Sequence, residues 1–496
     1  METTCEEFLQ VTDHNRVSAS SEINIQPELR WPTQNVIEAK MEKKMTTMIA
    51  AVAVVAVVLV AGAFVILNND DDGTKNAAIA SQLQIRGNAN DDYTIDGKDL
   101  DIVNDVIAGT KTLAEYPLAD VNNDGVVNDD DVSLLKDLID RKDGTTVYVV
   151  CLDRNGKSTT VQVTYPLRNV VPYGTNMQLP TLYANGGQYV AGYFVSSYTA
   201  AEASISSTAR DLEGSQRKIS DAAWSNFTAL DASISGGLGA ILVDYSGISA
   251  ISEKRMGDLN AAGIPMICYE SADATAEITT VLTLGFLFGG ECETMGVKYA
   301  QTAWNLIKEI NDKLKDVKDE DKTSYICCTM YIYICGASSS FNTSATTAGG
   351  VAYASLNSDF NTTYADNSTK MASVEALSKF TDVDVIINNR SMDWGLTEEQ
   401  IKDLVIDTWD HDNSGKSSTE YFAKFLDKLV YIDNLLPGAV KLAYMAHAMY
   451  EDTFSREWAD GVLQDYIDMG TLPLKEQTLD TVLAYIDLST YNAVTA

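Results

Sequence analysis

The sequence is poor in basic residues and in cysteine. Its 496 residues include 36 Lys and Arg against 70 Asp and Glu, which gives a formal net charge of −34. A surface of this charge repels a phosphate backbone, so nucleic acid is excluded as an expected partner. Seven cysteines in a chain of this length do not form a disulfide framework, and most of them are expected to be core thiols.

Catalytic signatures are also missing from the sequence. There is no GxSxG or HExxH pattern, neither GKS triplet (156–158 and 415–417) completes a GxxxxGK[ST] phosphate loop, and the three histidines show no informative spacing from the cysteines. The chain is therefore not expected to be an enzyme. It has 45% hydrophobic residues and a length typical of about three domains, which favours a folded protein.

One long apolar run lies near the N-terminus, at residues 48–67, and contains no charge. Twenty such residues form a helix of about 30 Å, enough to cross a bilayer. Lysines precede the run and Asp70, Asp71 and Asp72 follow it, so the positive-inside rule predicts a single-pass cell-membrane protein with its C-terminal domains outside. Residues 1–44 are predicted to be a disordered cytoplasmic tail, 45–68 the transmembrane helix and 69–83 a linker. Two alternatives stay open: a cleaved signal peptide, and translation from Met41.

Two acidic loops of twelve residues, 88–99 and 120–131, follow the linker. Oxygen-bearing side chains or a carbonyl recur in both at loop positions 1, 3, 5, 7, 9 and 12, which is the ligand pattern of a calcium loop. An amphipathic stretch follows each loop, at 100–107 and 132–139. The pattern predicts two calcium ions, with ligands Asn88, Asn90, Asp92, Thr94, Asp96 and Asp99 in the first loop and Asp120, Asn122, Asp124, Val126, Asn128 and Asp131 in the second.

The loop–helix order and the 32-residue spacing of residues 84–142 resemble a dockerin, a calcium-dependent module that docks into a cohesin-type domain on another protein. The resemblance implies that loop positions 10 and 11 help to choose the partner. These positions are Gly97 and Lys98 in the first repeat, and Asp129 and Asp130 in the second. In the first loop Asn88 replaces the usual Asp and Tyr93 replaces the turn Gly, so the first site is expected to be the weaker one.

Beyond residue 145 the sequence predicts an α/β domain. An Asn155-Gly156 turn between two apolar stretches indicates a hairpin, and short apolar strands then alternate with helical segments, as in parallel sheets. A long helix is predicted at 291–317. It divides the domain into two lobes, 145–290 and 318–496.

This organisation resembles the helix-linked (class III) periplasmic binding proteins of ABC importers, the class that handles ferric siderophores, haem and cobalamin. The resemblance rests on an ordered series of motifs: the opening hairpin, AILVDYSG, AAGIPMICYE, the helix with GVKYAQTAW, VEALSKFTDVDVIIN and KLVYIDNLLPG. It implies a surface solute-binding protein that captures a metal chelate or corrinoid and delivers it to a permease. The alternative is an adhesive or scaffold protein in which the dockerin is the functional part and the two-lobed domain is a display module.

Such proteins bind their ligand outside the carboxyl ends of the strands. Residues at these strand ends are predicted to line the ligand cleft, with aromatic rings for stacking and one cation for an anionic chelate: Tyr173, Asn176, Tyr193, Tyr245, Tyr269, Arg390 and Trp394. In the second lobe, Glu375 matches the acid that engages the permease in this family. The matching stretch of the first lobe, Trp224 to Phe227, carries no acid at that place.

Overall fold

A computed structural model describes residues 83–194, 218–219, 225–269, 273–329, 333–335, 339–362, 370–371, 377–389, 397–410, 424–470, 479 and 482–488. The predicted tail, transmembrane run and most of the linker lie outside these residues. Within the described ranges, no helix is both long and apolar enough to cross a membrane. The described residues all belong to one compact unit, Asp71–Ala496.

The calcium-loop module, residues 84–142, consists of two loops that each lead into a helix. Helix α1 is Gly97–Ile107 and helix α2 is Asp129–Ile139, with a 3₁₀ turn at Pro117–Ala119 between them. Asp96 and Asn128, at loop position 9, are the N-caps, and position 12 of each loop completes a capping box. The same residues that fit a calcium pattern therefore also start the helices.

The predicted hairpin is present as β1 (Thr146–Leu152) and β2 (Ser158–Thr164), paired in antiparallel. The first lobe follows, with a parallel sheet of order β5-β4-β3-β6-β7. Its strands and helices are β3 (Val170–Tyr173), α3 (Thr175–Tyr183), β4 (Tyr193–Phe194), β5 (Lys218–Ile219), α4 (Ser225–Ser233), β6 (Ala240–Asp244), α5 (Tyr245–Ala250), α6 (Glu253–Ala261), β7 (Met266–Tyr269) and α7 (Ala274–Phe288).

Helix α8, Glu291–Leu314, links the two lobes with 24 residues. It ends three residues before the predicted boundary because Lys315 caps it and the Val317 amide closes a turn on the Leu314 carbonyl. A Cβ on Gly285 of α7 would lie 2.6 Å from the Cys292 carbonyl oxygen of α8. Only glycine fits at this crossing of the two helices.

The second lobe has a mixed sheet of order β11-β9-β8-β12-β13-β14, with β10 also paired to β8. Strands β8, β12 and β13 are parallel, and β9 and β14 run antiparallel to their neighbours. The elements are β8 (Ser324–Thr329), β9 (Tyr333–Ile334), α9 (Ser340–Thr347), β10 (Val351–Ala352), α10 (Tyr353–Leu356), α11 (Ser358–Phe360), β11 (Lys370–Met371), β12 (Val385–Asn388), α12 (Glu398–Asp410), β13 (Leu429–Ile432), α13 (Gly438–Met449), α14 (Arg456–Asp468) and β14 (Tyr485–Asp487).

The largest hydrophobic core runs through all of these parts. Ile85 and Leu135 of the module, Val149 of the hairpin, Phe286 of α7 and Leu442 of α13 belong to one cluster of buried side chains. The amide of Arg86 also donates to the Tyr148 carbonyl of β1 at 2.9 Å. The module is thus packed onto the two-lobed domain.

Candidate functional sites: two acidic loops and the strand ends of two sheets

Asp131, at position 12 of the second loop, is fully buried and closes that loop. Its Oδ1 accepts from the amides of Val121, at 2.7 Å, and Asn122, at 3.0 Å, and its Oδ2 accepts from Asn128 N at 2.9 Å. Three backbone donors on one carboxylate form a strong, charge-assisted set. Asp131 therefore ties the start of the loop to the start of α2.

Asp99 has the same role in the first loop, where its carboxylate accepts from two backbone amides and not three. Its carboxylate accepts from Asn90 N at 3.0 Å and from Asp96 N at 2.8 Å. Burial raises the pKa of Asp99 to about 6, although both amides act in the opposite direction. Burial also raises the pKa of Tyr93 to about 12, with Asp92 adding to the rise.

The two loops differ at position 6, as the sequence predicts. Gly125 has a φ of +88°, a left-handed conformation that glycine adopts readily. Tyr93, the equivalent residue, is not among the described residues with positive φ, whereas Asp91 and Asn123 at position 4 both are. The loops therefore share the turn at position 4 and diverge two residues later.

The donor chemistry of both loops fits calcium. Every candidate ligand offers an oxygen, and carboxylate, carboxamide and carbonyl oxygens are the ligands that Ca²⁺ prefers. No three His, Cys, Asp or Glu side chains within the described ranges converge into a metal cluster. Calcium binding stays a prediction from the loop pattern, and the residues that would hold the ions are those given by that pattern.

The residues at loop positions 10 and 11 are exposed in both repeats: Gly97, Lys98, Asp129 and Asp130. The rest of the two loops is not equivalent. Residues 123–126 of the second loop are exposed, with Val126 at 58%, whereas residues 92–94 of the first loop are half-buried. The second loop thus presents the more open surface.

Arg141 accounts for part of this difference. Its Nε and Nη2 contact the Glu293 carboxylate of α8 at 2.9 and 2.5 Å, and its Nη1 donates to the Ile95 carbonyl of the first loop at 3.2 Å. Its guanidinium also lies 4.8 Å from the ring centroid of Phe286. The Arg141 side chain therefore anchors the first loop to the connecting helix.

In the first lobe the strand order reverses between β3 and β6. These two parallel strands lie side by side, with β4 and β5 on one side of the pair and β7 on the other. Ligands bind at such a switch point in open parallel sheets. Tyr173 ends β3 and Asp244 ends β6, and Asn176 Nδ2 donates to Asp244 Oδ2 at 3.3 Å. Burial raises the pKa of Tyr173.

Other predicted residues of the first lobe are placed differently. Tyr245 begins α5 and its hydroxyl lies against Gly156 of the hairpin turn. Tyr269, which was predicted to line the cleft, is 5% exposed and packs in the main core instead. The backbone of Tyr193 lies in β4, and its side chain is outside the described part.

In the second lobe, Asn388 ends β12 and Asn389 follows it. Residues 390–396 lie outside the described residues. Asn388 and Asn389 are both 1% exposed, and Asn389 Nδ2 donates to the Ile432 carbonyl at the end of β13 at 2.8 Å. Arg390, Trp394 and Glu375 lie outside the described residues, so their predicted roles stay predictions.

Three polar residues at the strand ends were missed by sequence reasoning: Asp244, Asn389 and Asp433. Each is the first or second polar residue after an apolar strand, a signal that the sequence contains. Asp244 Oδ1 accepts from Gly247 N at 3.1 Å, and Asp433 Oδ1 accepts from Leu435 N at 2.8 Å. Both carboxylates therefore shape the loops that follow their strands.

A buried polar cluster joins the two lobes beside the connecting helix. Glu277 of α7 accepts from Gly438 N of α13 at 2.6 Å and from the Tyr299 hydroxyl of α8. Lys441 of α13 donates to the Asn434 carbonyl at 3.3 Å. Burial raises the pKa of Glu277 and lowers that of Lys441. The cluster lies between helices that pack against each other, and its hydrogen bonds connect the two lobes.

Comparison with solved structures identifies the fold. The TroA-like periplasmic binding protein FepB from Veillonella parvula superposes with a TM-score of 0.51 at 15% identity, covering 68% of this chain and 99% of that one. Weaker similarities include the molybdate periplasmic binding protein MolA of Haemophilus influenzae, with a TM-score of 0.45, 11% identity and 65% and 97% of the two chains covered. A third is CeuE of Helicobacter pylori, with a TM-score of 0.45, 12% identity and 66% and 97% covered.

The fold assignment rests on the first of these similarities alone. No protein-family model matches the chain, and no curated protein matches it. The predicted two-lobed α/β fold is confirmed: this part of the chain has a fold like that of TroA-like periplasmic binding proteins. The dockerin fold and the transmembrane helix stay predictions.

Proposed function

We propose that this protein is a surface-anchored solute-binding protein. Its two-lobed domain would capture a small ligand of the metal-chelate or corrinoid class, namely a siderophore, haem or cobalamin, and deliver it to an ABC permease. The observation that carries this proposal is the architecture itself: two sheets joined by one 24-residue helix, in a fold like that of a periplasmic binding protein.

The strand ends of the first lobe support a binding role. Tyr173, Asn176 and Asp244 meet at the switch point of a parallel sheet, where this kind of sheet places its ligands. Their phenol, carboxamide and carboxylate groups offer oxygen and nitrogen partners to a polar ligand. Trp394 and Arg390 would add a stacking face and a cation from the second lobe.

The calcium-loop module supports a second part of the proposal, which is docking to a cohesin-type domain. The exposed positions 129 and 130 lie on the open side of the module, beside the exposed second loop. Because the module packs onto the two-lobed domain, a docked partner would hold the ligand-binding domain in a fixed orientation. This arrangement suits a binding protein that is retained at a surface.

The ligand-binding proposal is tested by exchanging one side chain at the switch point. We expect Asn176→Ala to weaken binding of the ligand class that the wild-type chain retains by about tenfold, the loss of one good hydrogen bond. The matched control is Asn260→Ala, an exposed residue at the opposite end of the same sheet, before β7. Native mass spectrometry of the purified protein identifies the ligand class, and titration with haemin, a ferric siderophore or cyanocobalamin measures the affinity.

Retention of no small molecule, with no binding of these three probes, would contradict the solute-binding proposal and favour a display role. Equal losses in Asn176→Ala and Asn260→Ala would remove the switch point from the site while leaving the binding role in place.

A further inference from the structure

Cys327 of β8 and Cys335, the residue that follows β9, lie opposite each other in the continued register of two antiparallel strands. The register of β8 and β9 pairs Thr329 with Tyr333 and Cys328 with Ile334, so the next pair is Cys327 with Cys335. The Cys335 amide donates to the Cys327 carbonyl at 2.9 Å. Both thiols are free in this structure. Opposed residues of a hydrogen-bonded antiparallel pair have Cα atoms about 5.5 Å apart, which is within the usual range of about 4.4–6.8 Å for a disulfide.

The two side chains also share one face of the sheet. Alternate residues of a strand point to opposite faces, and the burial pattern follows this rule. Cys327 and Cys335 belong to the main core, whereas Cys328 and Ile334 belong to the separate core of the second lobe. Cys328 is therefore excluded as the partner of Cys335 by the direction of its side chain.

Burial limits the chemistry of both thiols once the sheet is complete. Burial raises the pKa of Cys327 well above its usual value, with Cys335 adding to the rise, and raises the pKa of Cys335 to about 12. Since the thiolate is the reactive form, the pair exchanges slowly in the folded protein. A bond between them has to form before the strands are buried, and it then resists reduction.

We propose that Cys327 and Cys335 are a disulfide site that is oxidised when this part of the chain folds outside the cytoplasm. The oxidant is the disulfide form of a thiol–disulfide oxidoreductase, or oxidised glutathione. One Cys thiolate attacks the disulfide of the oxidant and releases one oxidant thiol. The second Cys thiolate then displaces the other, so the protein loses two hydrogens and two electrons and the oxidant gains them.

Such a disulfide would cross-link β8 and β9 near the carboxyl end of β8. That end of the sheet is where Asn389 N donates to the Cys328 carbonyl, next to the proposed ligand cleft. A covalent link across the hairpin would hold this rim of the second lobe in place. The proposal depends on the cysteine geometry and on an oxidising location, and it does not require that a ligand be bound.

The test uses the full chain, unfolded and refolded in a buffer of oxidised and reduced glutathione, then alkylated with N-ethylmaleimide under denaturing conditions. With the bridge, five of the seven cysteines are alkylated. Cyanogen bromide cleaves after Met330 and separates Cys327 from Cys335, so the fragments 296–330 and 331–371 should remain linked until a reductant is added. Alkylation of all seven thiols would overturn the proposal.

Two variants identify the partner. Cys327→Ser should abolish the linked fragments, and Cys328→Ser, its neighbour on the opposite face, should retain them. Reductant added during refolding should lower the melting temperature of the wild type by about 5 °C and leave that of Cys327→Ser unchanged. Linked fragments that survive in Cys327→Ser and vanish in Cys328→Ser would show that the assigned register is wrong. If either variant does not fold, tandem mass spectrometry of the linked wild-type fragments identifies whether Cys327 or Cys328 is bonded to Cys335.

Discussion

The two acidic loops have one register and different surroundings. In the first loop, Arg141 holds the Ile95 carbonyl and pairs with Glu293 of the connecting helix. In the second loop, residues 123–126 face the solvent. Two copies of one local pattern thus have different environments: the first is packed onto the two-lobed domain, and the second is open to solvent. The difference arises from what each loop touches, since the capping network of both is nearly the same.

The largest effect is expected at position 12 of each loop. Asp131→Ala leaves three backbone donors without their acceptor, and we expect it to destabilise α2 by about 3 kcal/mol; Asp99→Ala, which removes two, should destabilise α1 by about 2 kcal/mol. Hydrogen exchange of the helix amides measures both, with Lys136→Ala on the exposed face of α2 as the control. Equal losses would show that the loops are energetically equivalent.

Removal of the anchor comes next. Arg141→Ala should cost about 2 kcal/mol in the free energy of unfolding, because a half-buried bidentate ion pair and its carbonyl contacts are lost together. Lys142→Ala is the matched control: its pairing with Asp137 is exposed and should contribute less than about 0.5 kcal/mol. Urea unfolding of the full chain gives both values. A loss in Arg141→Ala no larger than in the control would mean that the first loop is held by its apolar contacts alone.

A smaller effect on stability is expected at Gly125, which occupies position 6 of the second loop. Gly125→Ala should cost about 1 kcal/mol, since its φ of +88° strains an alanine even though no atom lies within 4 Å of the new Cβ. Gly97→Ala, at the first position of α1 and equally free of contacts, should be neutral or slightly stabilising. Thermal unfolding of the two variants checks the sign, and an equal cost at both positions would argue against strain at Gly125.

The smallest effect on stability belongs to the docking positions. Replacing Asp129 and Asp130 by Ala, or Lys98 by Ala, should change the free energy of unfolding by less than about 0.5 kcal/mol, because all three are exposed. Only the Asp129/Asp130 variant should lose binding to a cohesin-type domain, measured by calorimetry with calcium and again with a chelator. Loss of binding in Lys98→Ala instead would place the partner on the first loop.

Sequence reasoning predicted the parts whose signals are local. The hairpin turn at Asn155-Gly156, a helix after each loop and the long connecting helix depend on residues close in the chain, and all are present. The two module helices begin three residues earlier than predicted, because loop position 9 is the N-cap of each. Tyr269 was predicted in the cleft and is buried, because a tyrosine at a strand end can turn towards the core as readily as towards a ligand.

The sequence by itself determined the local elements of this protein: the loop registers, the helix caps and the alternation of strands and helices. Only the tertiary structure decided which residues meet. Arg141 and Glu293 are 152 residues apart in the chain, and Asn176 and Asp244 are 68 apart. Such pairs are brought together by strand order and by the packing of helices, which bury apolar surface collectively, and no local pattern around any one of these residues contains that information.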